Sequence, residues 1–337
     1  ARMLRMVKKT VFYTVNKVDG PRHEALVPEF YRLGIETIYP LSAQHGPGLD
    51  ELMDDVALAL PEAEPLQDGE GERIRIAVIG RPNVGKSSLI NRILGYERTI
   101  ANPVPGTTRD AIDTPVTRDK KQYLLIDTAG IRRKSRISLT MEKYSTVQAL
   151  KAIGRADIAL ILIDAAEGIS EQDVKIAGLA LERGTACIIV VNKWDLVEKD
   201  NSTIGTFVEN IRYNAKFLEF APIIFVSALS GQRVSKIFEL VDRVYAQYTR
   251  RVETGELNRK IRGIIEANPP PGRGSRPHIF NYITQVAIKP PSFALFVRNP
   301  GDIHFSYERY LINRIRETFG FAEVPIRLFF RKKGANS

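Results

Sequence analysis

Two spacings of apolar residues alternate through the middle of this chain. Short continuous apolar runs at residues 75–79, 123–126, 158–163, 186–191 and 223–226 read as buried strands. Between them, apolar residues recur at helical spacing over 87–94, 143–155, 171–183, 202–217 and 234–248. Strands alternating with helices predict a mostly parallel sheet covered on both faces. Ligands of such sheets bind beyond the carboxyl ends of the strands.

The pattern changes on either side. After residue 248 it reads helix (257–268), a Pro269-Pro270-Pro271-Gly272 break, and strands at 279–288 and 293–298 joined by Lys289-Pro290-Pro291-Ser292. A helix over 307–319 and a strand over 325–331 complete a small α+β domain. Ahead of the middle segment come the end of an uncapped helix (1–6), a strand (11–15), an apolar stretch (38–43) and an amphipathic helix (48–60). A stretch rich in proline and acids, 61–72, reads as a linker. The expected domains are therefore 1–60, 73–248 and 249–337, with the linker between the first two.

Composition narrows the picture in three places. No apolar run approaches the ~18 residues of a membrane span, and no signal-peptide pattern opens the chain. Cys187 is the only cysteine, so no internal disulfide forms, and a reducing, cytoplasmic setting fits. The net charge is +10, and from Arg250 onward 16 Lys/Arg stand against 7 Asp/Glu. A basic C-terminal domain suits a polyanion such as RNA, with a basic solvated surface as the competing reading.

The chemistry begins at Gly80-Arg81-Pro82-Asn83-Val84-Gly85-Lys86-Ser87, between the first middle strand and a helix opening at Ser88. A G-x-x-x-x-G-K-[ST] loop in that context is a P-loop. Its glycines let backbone N–H groups turn toward phosphate oxygens, and the helix N-terminus adds partial positive charge. Lys86 is expected to reach the β- and γ-phosphates and to assist catalysis, and Ser87 to bind Mg²⁺. Farther on, Thr108 in Pro105-Gly106-Thr107-Thr108 can join the Mg²⁺ shell and sense the γ-phosphate. Asp127-Thr128-Ala129-Gly130 follows a strand, 41 residues after Lys86; Asp127 can hold Mg²⁺ and the Gly130 N–H can approach the γ-phosphate.

The base is read by the last motifs. In Asn192-Lys193-Trp194-Asp195 a carboxylate at 195 can accept from guanine N1–H and the 2-amino group. Adenine lacks that donor pair and would leave the acid unpaired. Asn192 can brace the loops or touch the base edge, the Lys193 stem can cover the ring, and Ser227-Ala228 can offer an N–H to guanine O6.

The opening segment repeats this end. Asn16-Lys17-Val18-Asp19 matches Asn192 to Asp195, and Leu41-Ser42-Ala43 matches Val226-Ser227-Ala228, each followed by an amphipathic helix. Nothing like a P-loop precedes the first copy. The chain therefore reads as starting partway through a first nucleotide-binding domain, and that copy is not expected to bind GTP by itself.

This ordered set resembles the Era-like group of translation-factor-class GTPases. The partial copy, acidic linker and small basic domain make it similar to the bacterial Der (EngA) family, with tandem GTPase domains and a C-terminal KH-like domain. The resemblance covers essentially the whole chain. It implies a P-loop GTPase domain preceded by a partial copy and followed by an α+β KH-like domain. It implies a GTP-hydrolysing switch, acting on rRNA during large-subunit (50S) ribosome assembly, cytoplasmic and monomeric. Asn83 stands where potassium-activated members bind K⁺, and Ile131 where Ras-type enzymes carry a water-positioning glutamine, so slow intrinsic turnover is expected. The basic run Arg132-Arg133-Lys134-Ser135-Arg136 lies in the matching switch region. No Gly-x-x-Gly clamp of RNA-binding KH domains is found. RNA contact is expected instead through Arg314, Arg316, Arg331, Lys332 and Lys333, with packing on the GTPase domain as the competing use. A tRNA-modification GTPase would need flanking cofactor-binding and helical domains, which are not seen. An RNA-binding scaffold without useful hydrolysis is the other alternative.

Overall fold

The computed structural model describes residues 10–35, 37–43, 48–59, 73–96, 113–126, 149–270 and 280–332. The chain divides into two compact units, Ala1–Gly71 and Glu72–Ser337.

In the first unit, strands β1 (Tyr13–Val15) and β2 (Ile38–Pro40) pair in parallel, with Tyr13 opposite Ile38 and Val15 opposite Pro40. Between them lie a short helix α1 (Pro21–Glu24) and a 3-10 helix over Val27–Leu33, and α2 (Leu49–Ala59) follows. Neither element between the strands was foreseen. Both open with a proline in the first helical turn, where a missing N–H costs nothing. The helix end expected at 1–6 and the linker at 61–72 lie outside the described residues.

The second unit is built on a six-stranded sheet in the order β4-β5-β3-β6-β7-β8. These are β3 (Ile74–Ile79), β4 (Thr114–Arg118), β5 (Lys121–Ile126), β6 (Ile158–Asp164), β7 (Ala186–Asn192) and β8 (Ile223–Phe225). All neighbours are parallel except the β4–β5 pair. Strand β4, Thr-Pro-Val-Thr-Arg, carries no apolar run and was not foreseen. It survives with Pro115 inside because it is an edge strand, where one row of backbone groups needs no partner.

The helices of this unit are α3 (Lys86–Tyr96), α4 (Glu171–Arg183), α5 (Thr203–Asn214) and α6 (Lys236–Tyr248), with a helical stretch at 149–153. The run expected as one helix over 202–217 breaks at Ala215 and ends in a 3-10 turn, Lys216–Leu218. Side chains alternate across the sheet. Ile158, Leu160 and Leu162 join one buried cluster with α3 and α6, while Ala159, Ile161 and Ile163 join another with α4 and α5. Burial on both faces is why β6 and β7 read as unbroken apolar runs.

The C-terminal part follows as α7 (Thr254–Ala267), β9 (Phe280–Ala287), β10 (Ser292–Val297), α8 (Phe305–Phe319) and β11 (Arg327–Lys332). Its sheet order is β11-β10-β9, with β10 antiparallel to β9 and parallel to β11. Its core is continuous with the first face of the larger sheet, since Tyr248, Leu257, Phe293 and Phe321 share one cluster with Ile158 and Leu160. Polar contacts fix the junction. Tyr248 donates its hydroxyl to Gly184 O (2.8 Å), and Arg327 donates to Glu182 O (2.9 Å). Arg243 pairs with Glu323 through two 2.7 Å bonds.

Arg316 is corrected here. It was expected among the RNA contacts, yet its guanidinium donates to Phe321 O (2.9 Å) and Val324 O (2.8 Å) and lies 4.7 Å over the Phe220 ring. Burial lowers its pKa to about 10. Arg316 satisfies carbonyls beyond the end of α8 and packs on the GTPase-like domain. Arg331 and Lys332 are exposed on the edge strand β11, and half-exposed Arg314 pairs with Glu317 at 2.8 Å. Lys333 lies outside the described residues.

Candidate nucleotide site

The loop Gly80–Gly85 leaves the carboxyl end of β3 and enters α3, as the strand–loop–helix pattern requires. Two glycines are dictated by contact. A Cβ at Gly80 would meet Leu162 O at 2.7 Å, and one at Gly85 would meet Asn192 Nδ2 at 2.2 Å. Both have positive φ, 149° and 96°, as does Asn83 at 65°. Alternating backbone directions of this kind aim N–H groups into a concavity. Val84 is buried, while Asn83, Ser87 and Ser88 are exposed at the mouth, and Pro82 is part-buried. Lys86 Nζ donates to Gly80 O (2.8 Å) and Arg81 O (2.6 Å), which folds its stem back over the loop.

Asn192 ends β7 and is 1% exposed. Its Nδ2 donates to Val84 O (2.9 Å), and its Oδ1 accepts Ala228 N (2.9 Å). One buried amide thus ties the P-loop to the Ser227-Ala228 loop. Lys193 is left-handed (φ 63°) and its ammonium lies 2.6 Å from Asp164 Oδ2. Burial pushes the Asp164 carboxyl up, but Lys193 and the Ala166 N–H outweigh it and hold the pKa below the usual range. Trp194 is buried against Phe207 and Phe225, which leaves Asp195 exposed on the outer side of its turn. Ser227 is fully buried and its Oγ accepts Ser230 N (3.1 Å). Arg92, on α3, donates to Ala228 O (3.0 Å) and to Leu229 O.

The described residues of the first unit contain the same turn. Asn16 Oδ1 accepts Ala43 N (3.1 Å), Lys17 is left-handed at 70°, and Val18 N donates to Leu41 O (3.1 Å). The counterparts in the second unit are Ala228 N, Lys193 and the Trp194 N to Val226 O bond (3.1 Å). Ser42 and Ser227 are both 0% exposed. Strand register also agrees: Val15 faces Pro40 one residue before the motif asparagine, as Val191 faces Phe225. Asp19, like Asp195, is exposed.

The structure therefore brings Gly80 to Ser88, Asn192 to Asp195 and Ser227-Ala228 to one end of the sheet. Thr108, Asp127, Thr128, Ala129, Gly130, Ile131 and the basic run 132–136 lie outside the described residues. Sequence reasoning missed Asp164, Arg92 and Asp173. An acid closing the apolar run of β6 was a usable signal for Asp164; Arg92 had none, because its contact spans over 130 residues of chain.

A P-loop tied by one buried amide to a second loop, at the carboxyl ends of a parallel sheet, has the form of a nucleotide-binding domain. A family model described as "50S ribosome-binding GTPase" matches residues 75–193. Another, described as the C-terminal KH-domain-like part of EngA bacterial GTPase enzymes, matches residues 251–331. GTPase Der of Syntrophotalea carbinolica is 55% identical over 335 residues, covering 99% of this chain and 76% of that protein. GTPase Der of Geobacter metallireducens is 54% identical over 329 residues, covering 98% of this chain and 75% of that protein. The chain belongs to the GTPase Der family and is a GTPase with a C-terminal KH-like domain. Among solved structures, Aquifex aeolicus Era is similar at 21% identity and a TM-score of 0.40, over 77% of this chain and 93% of that one.

Proposed function

We propose that this chain is a GTP-driven switch that acts on the large ribosomal subunit during its assembly and contacts rRNA. The observation that carries the nucleotide half is Asn192. Its amide joins the phosphate loop to the Ala228 loop, so one side chain sets the distance between phosphate and base recognition. In this reading, backbone amides from Arg81 to Ser88 bind the phosphates and Lys86 offsets charge that develops in phosphoryl transfer. Asp195 accepts from guanine N1–H and the 2-amino group, and Lys193 covers the ring; the Ala228 N–H, expected at guanine O6, is instead given to Asn192 Oδ1.

The residues present fit a phosphate-bound Mg²⁺. Ser87 is exposed in the first turn of α3, and at Gly85 a Cβ would meet Asn192 Nδ2, so no side chain intrudes at that position. Ser87, Thr108 and Asp127 would hold the ion, which supplies charge neutralisation between the phosphates. Asn83, exposed and left-handed, suits a monovalent cation such as K⁺ through its amide oxygen. Thr108 and Gly130 would sense the γ-phosphate. With Ile131 where a polar residue would orient water, hydrolysis depends on K⁺ or on a partner. Replacing K⁺ by Na⁺ should slow turnover, and equal rates would remove the role given to Asn83.

The ribosomal half rests on the family and on charge. The family model that matches residues 75–193 is described as ribosome-binding. Arg314, Arg331, Lys332 and Lys333 are the candidate RNA contacts, Arg316 being occupied. The domains proposed are 1–60, 73–248 and 249–337. Among the described residues no helix is long and apolar enough to cross a membrane, and a cytoplasmic monomer is the setting proposed. Sedimentation with large ribosomal subunits tests the reading. Binding should be stronger with a non-hydrolysable GTP analogue than with GDP, and equal binding would defeat the switch.

A further inference from the structure

The segment from Asp164, which ends β6, to Asp173, in the first turn of α4, belongs to none of the motifs above. Charged side chains nevertheless tie it to both ends of the nucleotide site. At the base end, the Asp164 side chain is 3% exposed and holds Lys193 Nζ at 2.6 Å. Its other oxygen accepts Ala166 N at 2.9 Å. Asp164 pairs with Asn192 across β6 and β7, so the sheet itself delivers this carboxylate to the base-reading turn.

At the phosphate end, Glu167 pairs with Arg81 of the P-loop, and Arg81 also donates to Gly168 O at 3.4 Å. Arg81 Nε lies 3.3 Å from Asp173 Oδ2. Asp173 is held in turn by Ser170 N (3.0 Å) and Ser170 Oγ (2.8 Å), the capping box of α4. The loop closes on itself through Gly168 N to Asp164 O at 2.8 Å.

Among the described residues, Arg81 Nε and Asp173 Oδ1 are buried without a hydrogen-bond partner. A buried ion pair with unsatisfied atoms is a poor source of stability, and an apolar pair of similar volume would serve that purpose better. What such a pair can supply is a fixed geometry. Here it fixes Arg81, whose carbonyl holds Lys86 Nζ at 2.6 Å.

We propose that Asp164–Asp173 is a positioning strap for the nucleotide: Asp164 sets the Lys193 stem against the purine face, while Glu167 and Asp173 set the P-loop through Arg81. The proposal rests on the guanine-nucleotide reading of the site. None of the three acids reaches the nucleotide; they are positioning residues. The Lys193 stem would meet the ring and not its exocyclic groups. Loss of Asp164 therefore weakens GDP and IDP equally, whereas loss of Asp195 changes their ratio.

The test is calorimetric titration of the full chain with GDP and IDP, using Asp164→Asn, Lys193→Met and their double variant, then Asp173→Asn, Arg81→Met and theirs. Each single variant should weaken GDP about tenfold, and each double should bind within about twofold of its weaker single, because the partners act as one unit. Glu167→Gln keeps the test open if a buried variant fails to fold, since the Glu167 side chain is 60% exposed. It should weaken GDP about threefold, and have no effect in the Arg81→Met background. Additive losses in any pair, unchanged single variants, or a GDP/IDP ratio altered by Asp164→Asn would overturn the strap. Wild-type chain that binds no GDP would remove the guanine reading as well; wild-type binding with additive pairs removes the strap alone.

Discussion

The chain carries the same turn twice, and the two copies differ in what lies over them. Asn16 and Asn192 each accept the N–H of the alanine after a buried serine, and each precedes a left-handed lysine. Asn192 is buried because Val84 of the P-loop sits on its amide, while Asn16 is exposed and also accepts its neighbour Lys17 N at 2.8 Å. Lys193 has buried Asp164 for a partner, while Lys17 is exposed. The backbone of a base-reading turn thus forms from local sequence and one strand pair. Burial of its asparagine comes with the phosphate loop, whose Val84 carbonyl accepts the Asn192 amide.

Substitutions can break that comparison. The largest effect is expected at Gly85, where any side chain meets Asn192. Gly85→Ala should weaken GDP binding at least a hundredfold, about 2.8 kcal/mol by the tenfold-per-1.4 relation, as read by titration calorimetry. Next is the asparagine pair. Asn192→Ala strands a buried carbonyl and a buried N–H, which costs about 2–4 kcal/mol in denaturant unfolding. Asn16→Ala, at an exposed site, should cost less than about 1 kcal/mol. Equal losses would mean that burial by the P-loop is not what separates the copies.

The left-handed lysines sharpen the point at smaller scale. Glycine relieves the backbone at either site, but only Lys193→Gly also strands buried Asp164. Lys17→Gly should stay within about 0.5 kcal/mol of wild type, and Lys193→Gly should lose about 1–2 kcal/mol. The smallest effect is local to α5. Asp200 accepts Ser202 N, Thr203 N and both hydroxyls, which lower its pKa to about 2. An acid depressed on folding stabilises above its unfolded pKa of about 3.9 and ceases to do so as pH falls toward the folded value. The melting-temperature gap between wild type and Asp200→Asn should therefore be full above about pH 4 and close toward pH 2.

Much of this was legible in the sequence. The middle strands fell within a residue or two of their positions because both sheet faces are buried, and the P-loop and Asn-Lys-Trp-Asp motifs announce themselves by local spacing. The repeat was legible too, and the structure adds a matching strand register. Other features were not. Strand β4 has no apolar run, since a hairpin partner and an edge position suffice to hold it. Arg316 looked like a surface cation, and only the tertiary fold places carbonyls and the Phe220 ring around it. The contacts of Arg81 with Glu167 and Asp173 join residues 86 or more apart, beyond any local pattern.

A single titration bears most directly on the functional reading. Residues 1–337 should bind one GDP per chain, with ADP weaker by a hundredfold or more, since an adenine leaves Asp195 unpaired. Asp195→Asn should abolish that preference while Asp19→Asn leaves it intact. Two GDP per chain, ADP bound as tightly as GDP, or a preference that follows Asp19 would contradict the assignment of the site to the second copy.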